Sequence, residues 1–485
     1  MKERIYKRSF LAILILAFVT TSCTDWLTVE PEGELLKDDY WETTEDVEAF
    51  LASMYNKVQA STDENFIWGE LRGDLIEFNS TDFGNYTKIK SYNIASSNGS
   101  IVWKHYYEAI NMANTLMYYD DEVFGNDVTF TEELMNQIEA EALFVRALNH
   151  FYLVRLWQDV PIMSSPAISD TSSISEPASP EAEVIDFIIE DLLKAKDIAS
   201  VDTELKGRAN KYAIMALLAD VYLWKGAMTN DNSDYQLAAQ YCDSVSEGGY
   251  SLEPYATWFN LYSPGNSSNE SIFEIQFNED HDETNPIYSS LVDLTDFDGM
   301  WNGDGFDDLY DDYFGDIRQL TYFKYVYSVY SPSSSVIALR TTEEEDANFI
   351  YYRYADILLM KAEALNEIGG HEAEVNDLLR TTKNRVLMDH TDISGKDELR
   401  LEILNERGRE FGAEGKRWFD LLRYARKNNW ANQEYLVEIL TAGFTNIQDL
   451  AAYSAKVYNT SSYFLPYPDN DVTYNSNLSQ KKYYE

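Results

Sequence analysis

Four stretches of this chain set alanines among large apolar residues at helical spacing, and they constrain the fold more than anything else in the sequence. They begin near Ile138 (running through Glu141, Ala142, Arg146 and Ala147), near Lys211 (Ala213, Ala216, Ala219), near Tyr354 (Ala355, Ala362, Ala364) and near Glu398. Small residues three or four apart let one helix lie close against another. Each stretch therefore predicts a helix that packs against a partner, and partner helices are expected over Tyr235 to Val245 and Glu372 to Val386.

Tandem helix-pair arrays of the tetratricopeptide kind repeat about every 34 residues. Here Ala142, Ala216 and Ala362 stand 74 and 146 positions apart, so the pairs are interrupted. The interruptions, roughly Asn65 to Ser100 and Glu253 to Ser335, are rich in Gly, Asn, Ser, Asp and aromatic residues and read as long loops. A few short strands such as Ser271 to Phe277 lie among them. Thr43 to Asp46 carries helix-start chemistry, with a hydroxyl cap and acidic residues in the first turn, for a helix to about Val58. The expected fold class is mainly α: an interrupted tetratricopeptide-like helical-pair scaffold with long irregular loops and a few short strands.

The N-terminus carries a different signal. Lys2, Arg4, Lys7 and Arg8 precede an apolar run from Phe10 to Val19, then Thr20, Thr21 and Ser22 lead to Cys23. A run of this length suits a secretory signal rather than a membrane span, which takes about twenty residues. Residues 1–22 are thus expected to be a lipoprotein signal peptide, with Cys23 as the lipidated first residue of the mature chain. Thr20 stands where such signals favour leucine. The second cysteine, Cys242, falls in a helix-like segment and reads as a small buried thiol; a Cys23–Cys242 disulfide is the alternative. The formal charge of −45 repels phosphate backbones and anionic headgroups, so nucleic acid is not an expected partner and charge would not hold the chain at a membrane. Acyl chains on Cys23 would.

Binding chemistry is expected on the interrupting loops, because ordered loops on a rigid scaffold are where binding residues collect. Most of the 36 Tyr and 10 Trp pack between helices, but rings among amides and carboxylates also suit hydroxylated ligands. One candidate loop holds Trp68, Asp74, Asn79, Asp82, Tyr86 and Tyr92; the other holds Trp301, Asn302, Asp304, Phe306 and Tyr310. The expected ligand residues are Trp68, Asp74, Tyr86, Trp301, Asn302, Asp304 and Tyr310. The stretch Asp296 to Asp308 fails the EF-hand pattern, since Gly299 and Met300 fall out of register. A loose calcium site is conceivable there, but no cofactor or metal is predicted. Carboxylate pairs are too common in this chain to signal catalysis, and no nucleophile or phosphate-loop motif is present.

Several motifs, in order along nearly the whole mature chain, resemble the SusD/RagB family. Cys23 to Leu27 with Pro31, then Tyr40-Trp41 and Asp46 to Tyr55, is similar to its lipidated tether and first helix. Trp103, Tyr107, Ile110 and Asn114 resemble a second helix, and Ala140 to Ala147 running to Val160-Pro161 a third, with Gln158 where glycine is usual. The most specific match is Glu406-Arg407-Gly408-Arg409-Glu410-Phe411 followed by Glu414-Gly415-Lys416-Arg417-Trp418-Phe419-Asp420-Leu421-Leu422-Arg423. Its charges read as a structural network, in which Arg407, Arg409, Arg417 and Arg423 pair Glu406, Glu410, Glu414 and Asp420 across a helical hairpin. At the end, Asn477 to Gln480 and Tyr484 match, with Lys481-Lys482-Tyr483 in place of Asn-Pro-Gly.

The resemblance implies a non-enzymatic, lipid-anchored outer-membrane protein facing the cell exterior. Such a protein captures oligosaccharide, or peptide in some members, for a TonB-dependent SusC-like transporter. It also implies an N-terminal helical region over 23–250 and a C-terminal region over 251–485 with its loop-rich insert at about 253–335. The rival reading is a protein-interaction scaffold that binds no nutrient itself.

Overall fold

The computed structural model describes residues 40–78, 85–168, 175–204, 206–262, 268–287, 300–302, 309, 316, 318, 323–326, 335–338, 346–442 and 447–485. The signal segment and Cys23 lie outside them. In chain order the regular elements are α1 (Thr44–Ala60), α2 (Thr62–Glu70), β1 (Ile76–Phe78), α3 (Asn85–Lys90), α4 (Lys104–Asn126), α5 (Glu132–Trp157), α6 (Glu181–Ile198), α7 (Lys211–Thr229) and α8 (Asn232–Ser246). Then follow β2 (Ser271–Ile275), β3 (Met300–Asn302), β4 (Phe323–Val326), β5 (Ser335–Ala338) and β6 (Phe349–Arg353). The chain continues with α9 (Tyr354–Ile368), α10 (Glu372–Arg385), α11 (Lys396–Phe411), α12 (Arg417–Trp430), α13 (Gln433–Thr441), α14 (Ile447–Val457) and α15 (Asp469–Tyr474).

The helices form the expected ladder of pairs. Helix α1 packs on α4, and α4 to α9 each pack on the next; α9 then meets α10 and α11, and α12 folds back on α7. The alanines do what their spacing required: Ala142, Ala147, Ala213, Ala216, Ala219, Ala355 and Ala362 are all fully buried. Local chemistry fixes the ends. Thr43 accepts from the Asp46 amide while Asp46 reaches back to the Thr43 amide, a reciprocal cap on α1. Asn210 caps α7 by accepting from the amides of Tyr212 and Ala213. Helix α5 ends at Gln158, which holds φ 65°, a conformation glycine adopts at no steric cost. Cys242 is buried in α8 with no disulfide partner among the described residues, and burial pushes its pKa up.

The strands make three two-stranded antiparallel sheets, β1–β3, β2–β6 and β4–β5. In β2–β6 every residue is buried, and β6 runs straight into α9, so this ladder anchors the insert to the helical scaffold. The interval Asn65 to Ser100 is not simply a loop, for it contains α2 and α3. Helix α2 is buried on all sides, from Asn65 through Glu70, and so shows no polar stripe in the sequence.

Candidate functional site

The two loops expected to carry binding are joined by the fold. Strands β1 and β3 pair antiparallel, with Ile76 opposite Asn302, Glu77 opposite Trp301 and Phe78 opposite Met300. Segments more than two hundred residues apart thus meet in one ladder, with β5 packed beside β3. The backbone of Trp301 and Asn302 belongs to this ladder; Asp304 and Tyr310, with Asn79, Asp82 and Phe306, lie outside the described residues.

Two expected ligand residues are instead interior. Trp68 is fully buried on α2, and its indole N–H has no hydrogen-bond partner among the described residues. Asp74 is buried and accepts both donors of a forked pair from Arg417, at 2.7 and 2.8 Å; despite burial, the guanidinium holds its pKa below the usual carboxylate range. Tyr92 likewise packs inside, donating to the Arg72 carbonyl at 3.1 Å. Being aromatic or acidic in a polar stretch did not distinguish these residues from surface ones.

Tyr86, on α3, is half-buried beside a polar group that the sequence reading did not single out. Burial, then the charges of Asp63 and Glu64, push its pKa up to about 12. Burial, then Glu64, raise Asp63 to about 6, and His105 Nε2 stands 3.6 Å from Glu64 Oε1. Oxygens of Asp63 and Glu64 and the Nδ1 of His105 have no hydrogen-bond partner among the described residues. Such groups accept and donate hydroxyl hydrogen bonds readily, and the phenol adds an aromatic face. Adjacent acidic residues at the start of a short helix were the only sequence signal available.

The charged C-terminal motif lies in the interior. Arg407 pairs with Asp356 at 2.8 Å and Asp420 at 2.9 Å, and Arg423 with Asp420 at 2.9 Å and Glu363 at 2.6 Å. Arg409 pairs with Glu406 at 3.0 Å. The other partners come from distant segments. Arg353, at the end of β6, joins Glu270 and Glu410 at 2.6 Å and Glu414 at 2.9 Å, while Arg318 joins Glu406 at 2.8 Å and Glu410 at 3.0 Å. All these side chains but the partly exposed Glu363 are essentially sealed from water, and Glu363, Glu406 and Glu414 each take both donors of a guanidinium fork, the arrangement that makes burial of charge tolerable. Among the described residues no group of three or more His, Cys, Asp or Glu is placed to hold a metal ion, and no helix is long and apolar enough to cross a membrane.

Residues 216–484 match the SusD family, and residues 25–223 match a family described as starch-binding associating with outer membrane. SusD-like protein P2 of Formosa agariphila is 26% identical over 531 residues, covering 98% of this chain and 98% of that protein. A SusD-like protein of Bacteroides ovatus is 26% identical over 549 residues, again covering 98% of each. Among solved structures, a SusD superfamily protein of Bacteroides thetaiotaomicron superposes with a TM-score of 0.74 at 22% identity, over 90% of this chain and 99% of that one. Another, from Bacteroides vulgatus, gives 0.76 at 18% identity, over 91% and 99%. The helical fold is therefore shared with these structures, and the chain belongs to the SusD family.

Proposed function

We propose that this protein captures nutrient glycan at the outer-membrane surface, held there by lipid on Cys23, and hands it to a TonB-dependent transporter of the SusC kind. It binds and does not catalyse. The observation that carries this reading is the β1–β3 ladder, which pairs Ile76–Phe78 of one aromatic-rich segment with Met300–Asn302 of the other on a scaffold made rigid by buried ion pairs. Family membership and the match described as starch-binding and outer-membrane-associating support it. The ligand residues it invokes are Tyr86, Trp301, Asn302, Asp304 and Tyr310, and the strongly acidic chain favours neutral over anionic glycans.

Affinity electrophoresis through gels containing neutral and acidic polysaccharides tests it, with a peptide mixture as competitor. Retardation by a neutral glycan that Trp301→Ala abolishes is the expected result. Retention relieved only by peptides would move the ligand class to peptide, and unaltered migration throughout would leave the scaffold reading.

A further inference from the structure

A cleft of about 520 Å³ is lined by residues none of which belongs to the β1–β3 ladder. Its floor is the first half of α4, where Trp103, at the helix cap, is followed by Tyr107 and Asn111 at four-residue steps, so the three share one stripe. His105, on the same helix, turns instead toward Glu64. Helix α4 thus separates two polar, aromatic-bearing regions.

The cleft is built before any ligand arrives. Its far wall, residues 161–167, is tied to the floor: Tyr107 donates to the Pro161 carbonyl at 2.9 Å, Asn114 to the Met163 carbonyl at 3.0 Å, and the Ala167 amide to Asn111 Oδ1 at 2.7 Å. One rim is Tyr474, at the end of α15 and 83% exposed, beside Asn475, which donates to the Glu176 carbonyl at 2.8 Å. The opposite rim is Lys57 and Glu108, paired at 3.1 Å. Asn111 uses only its oxygen in holding the wall, and its amide nitrogen has no hydrogen-bond partner among the described residues.

We propose that this cleft is a second saccharide site, taking a short stretch of neutral glycan. The volume is that of a small-ligand pocket, and a largely apolar lining with a few placed polar groups is what such pockets show. The Tyr474 and Tyr107 rings offer faces for the C–H side of a sugar ring. The free amide of Asn111 donates to a hydroxyl, and the Lys57–Glu108 pair both donates and accepts. On the lining, Lys57 and Lys104 balance the charges of Glu108 and Asp471, which suits an uncharged ligand. Two sites on one chain raise retention of a long polymer well beyond that of either site.

This inference rests on the glycan reading, and the test separates the two. Calorimetry uses the full-length protein in detergent with hexasaccharides of α-1,4-glucose, β-1,4-glucose, β-1,4-xylose and β-1,4-mannose. It compares the unaltered chain with Tyr474→Ala, Asn111→Asp and Trp301→Ala. Asn111→Asp keeps an oxygen to hold Ala167, removes the amide donor and places a negative charge in its stead, and Tyr474 is exposed enough to replace without loss of folding. One hexasaccharide is expected to give two binding events, with one of them weakened about tenfold by Tyr474→Ala and by Asn111→Asp and untouched by Trp301→Ala. A single event that only Trp301→Ala removes overturns the second site and leaves the glycan reading standing. Isotherms unchanged by Tyr474→Ala and Asn111→Asp also overturn it, and no binding of any hexasaccharide overturns both.

Discussion

Gly69 and Gly415 meet backbone to backbone: a β-carbon on Gly69 would stand 1.9 Å from the Gly415 carbonyl oxygen and 2.8 Å from its α-carbon. Gly415 itself holds φ +73°, which a side chain would strain. The glycine inside the Glu-Gly-x-Arg-Trp motif therefore lets α2 dock against the turn into α12. Gly69→Ala forces backbone apart and is expected to destabilise the protein by about 3 kcal/mol, read as a lower urea midpoint at unchanged slope.

Glu70, next along α2, accepts from the amides of Gly415 at 2.8 Å and Lys416 at 3.2 Å. Burial raises its pKa to about 8. Because the folded value lies above the unfolded one, the stability it supplies is complete below the unfolded pKa, about 4.3. That contribution falls as pH rises from there through 8. Glu70→Gln keeps an acceptor without the charge, so urea unfolding across pH 5 to 9 should show a flatter profile for the variant. Parallel profiles would contradict this assignment.

Arg353 serves three carboxylates at once. Arg353→Ala leaves Glu270, Glu410 and Glu414 short of their shared cation, and breaking a buried pair costs about 3–5 kcal/mol. Thermal unfolding should fall sharply, while Arg380→Ala, at a half-exposed ion pair on α10, should shift it little.

Gln158 bears a left-handed φ at the end of α5, where its amide donates to the Val154 carbonyl at 2.8 Å. Gln158→Gly relieves the strain and is expected to stabilise by about 1 kcal/mol, visible as a raised urea midpoint. A lower midpoint would mean that the side chain, whose amide reaches Glu181 at 3.4 Å, matters more than the turn.

Cys23→Ser removes the only proposed acylation site. Cell fractionation should move the protein from the outer-membrane fraction to a soluble one, and persistence in the membrane would show that another contact holds it.

The helical scaffold was legible because its evidence is local: alanine stripes, the Thr43 cap and the start of α9 at Tyr354 all act within a turn or two. Helix α2 was not, since a segment buried on every side has no polar phase to read. The charges of the C-terminal motif were recognisable as structural, but Glu270, Arg318, Arg353 and Asp356 could not be matched to them, because pairing across fifty or more residues leaves no trace in spacing. The same limit hid the Trp103, Tyr107 and Tyr474 cleft, whose rim and floor lie at opposite ends of the chain. Asp74 resembled a surface binding residue because nothing nearby in the sequence revealed Arg417, and Trp68 because α2 is buried on every side.

The β1–β3 ladder has an evolutionary corollary. Among the described residues the two inserts pair through six residues of backbone, and backbone pairing specifies no side chain. The inserts also carry residues the frame depends on, Gly69, Glu70 and Asp74 in the first and Glu270 and Arg318 in the second, so sequence is free to vary only in the stretches between these anchors. Loop sequence beyond these anchors can therefore be exchanged while the buried pairing that holds the frame is kept.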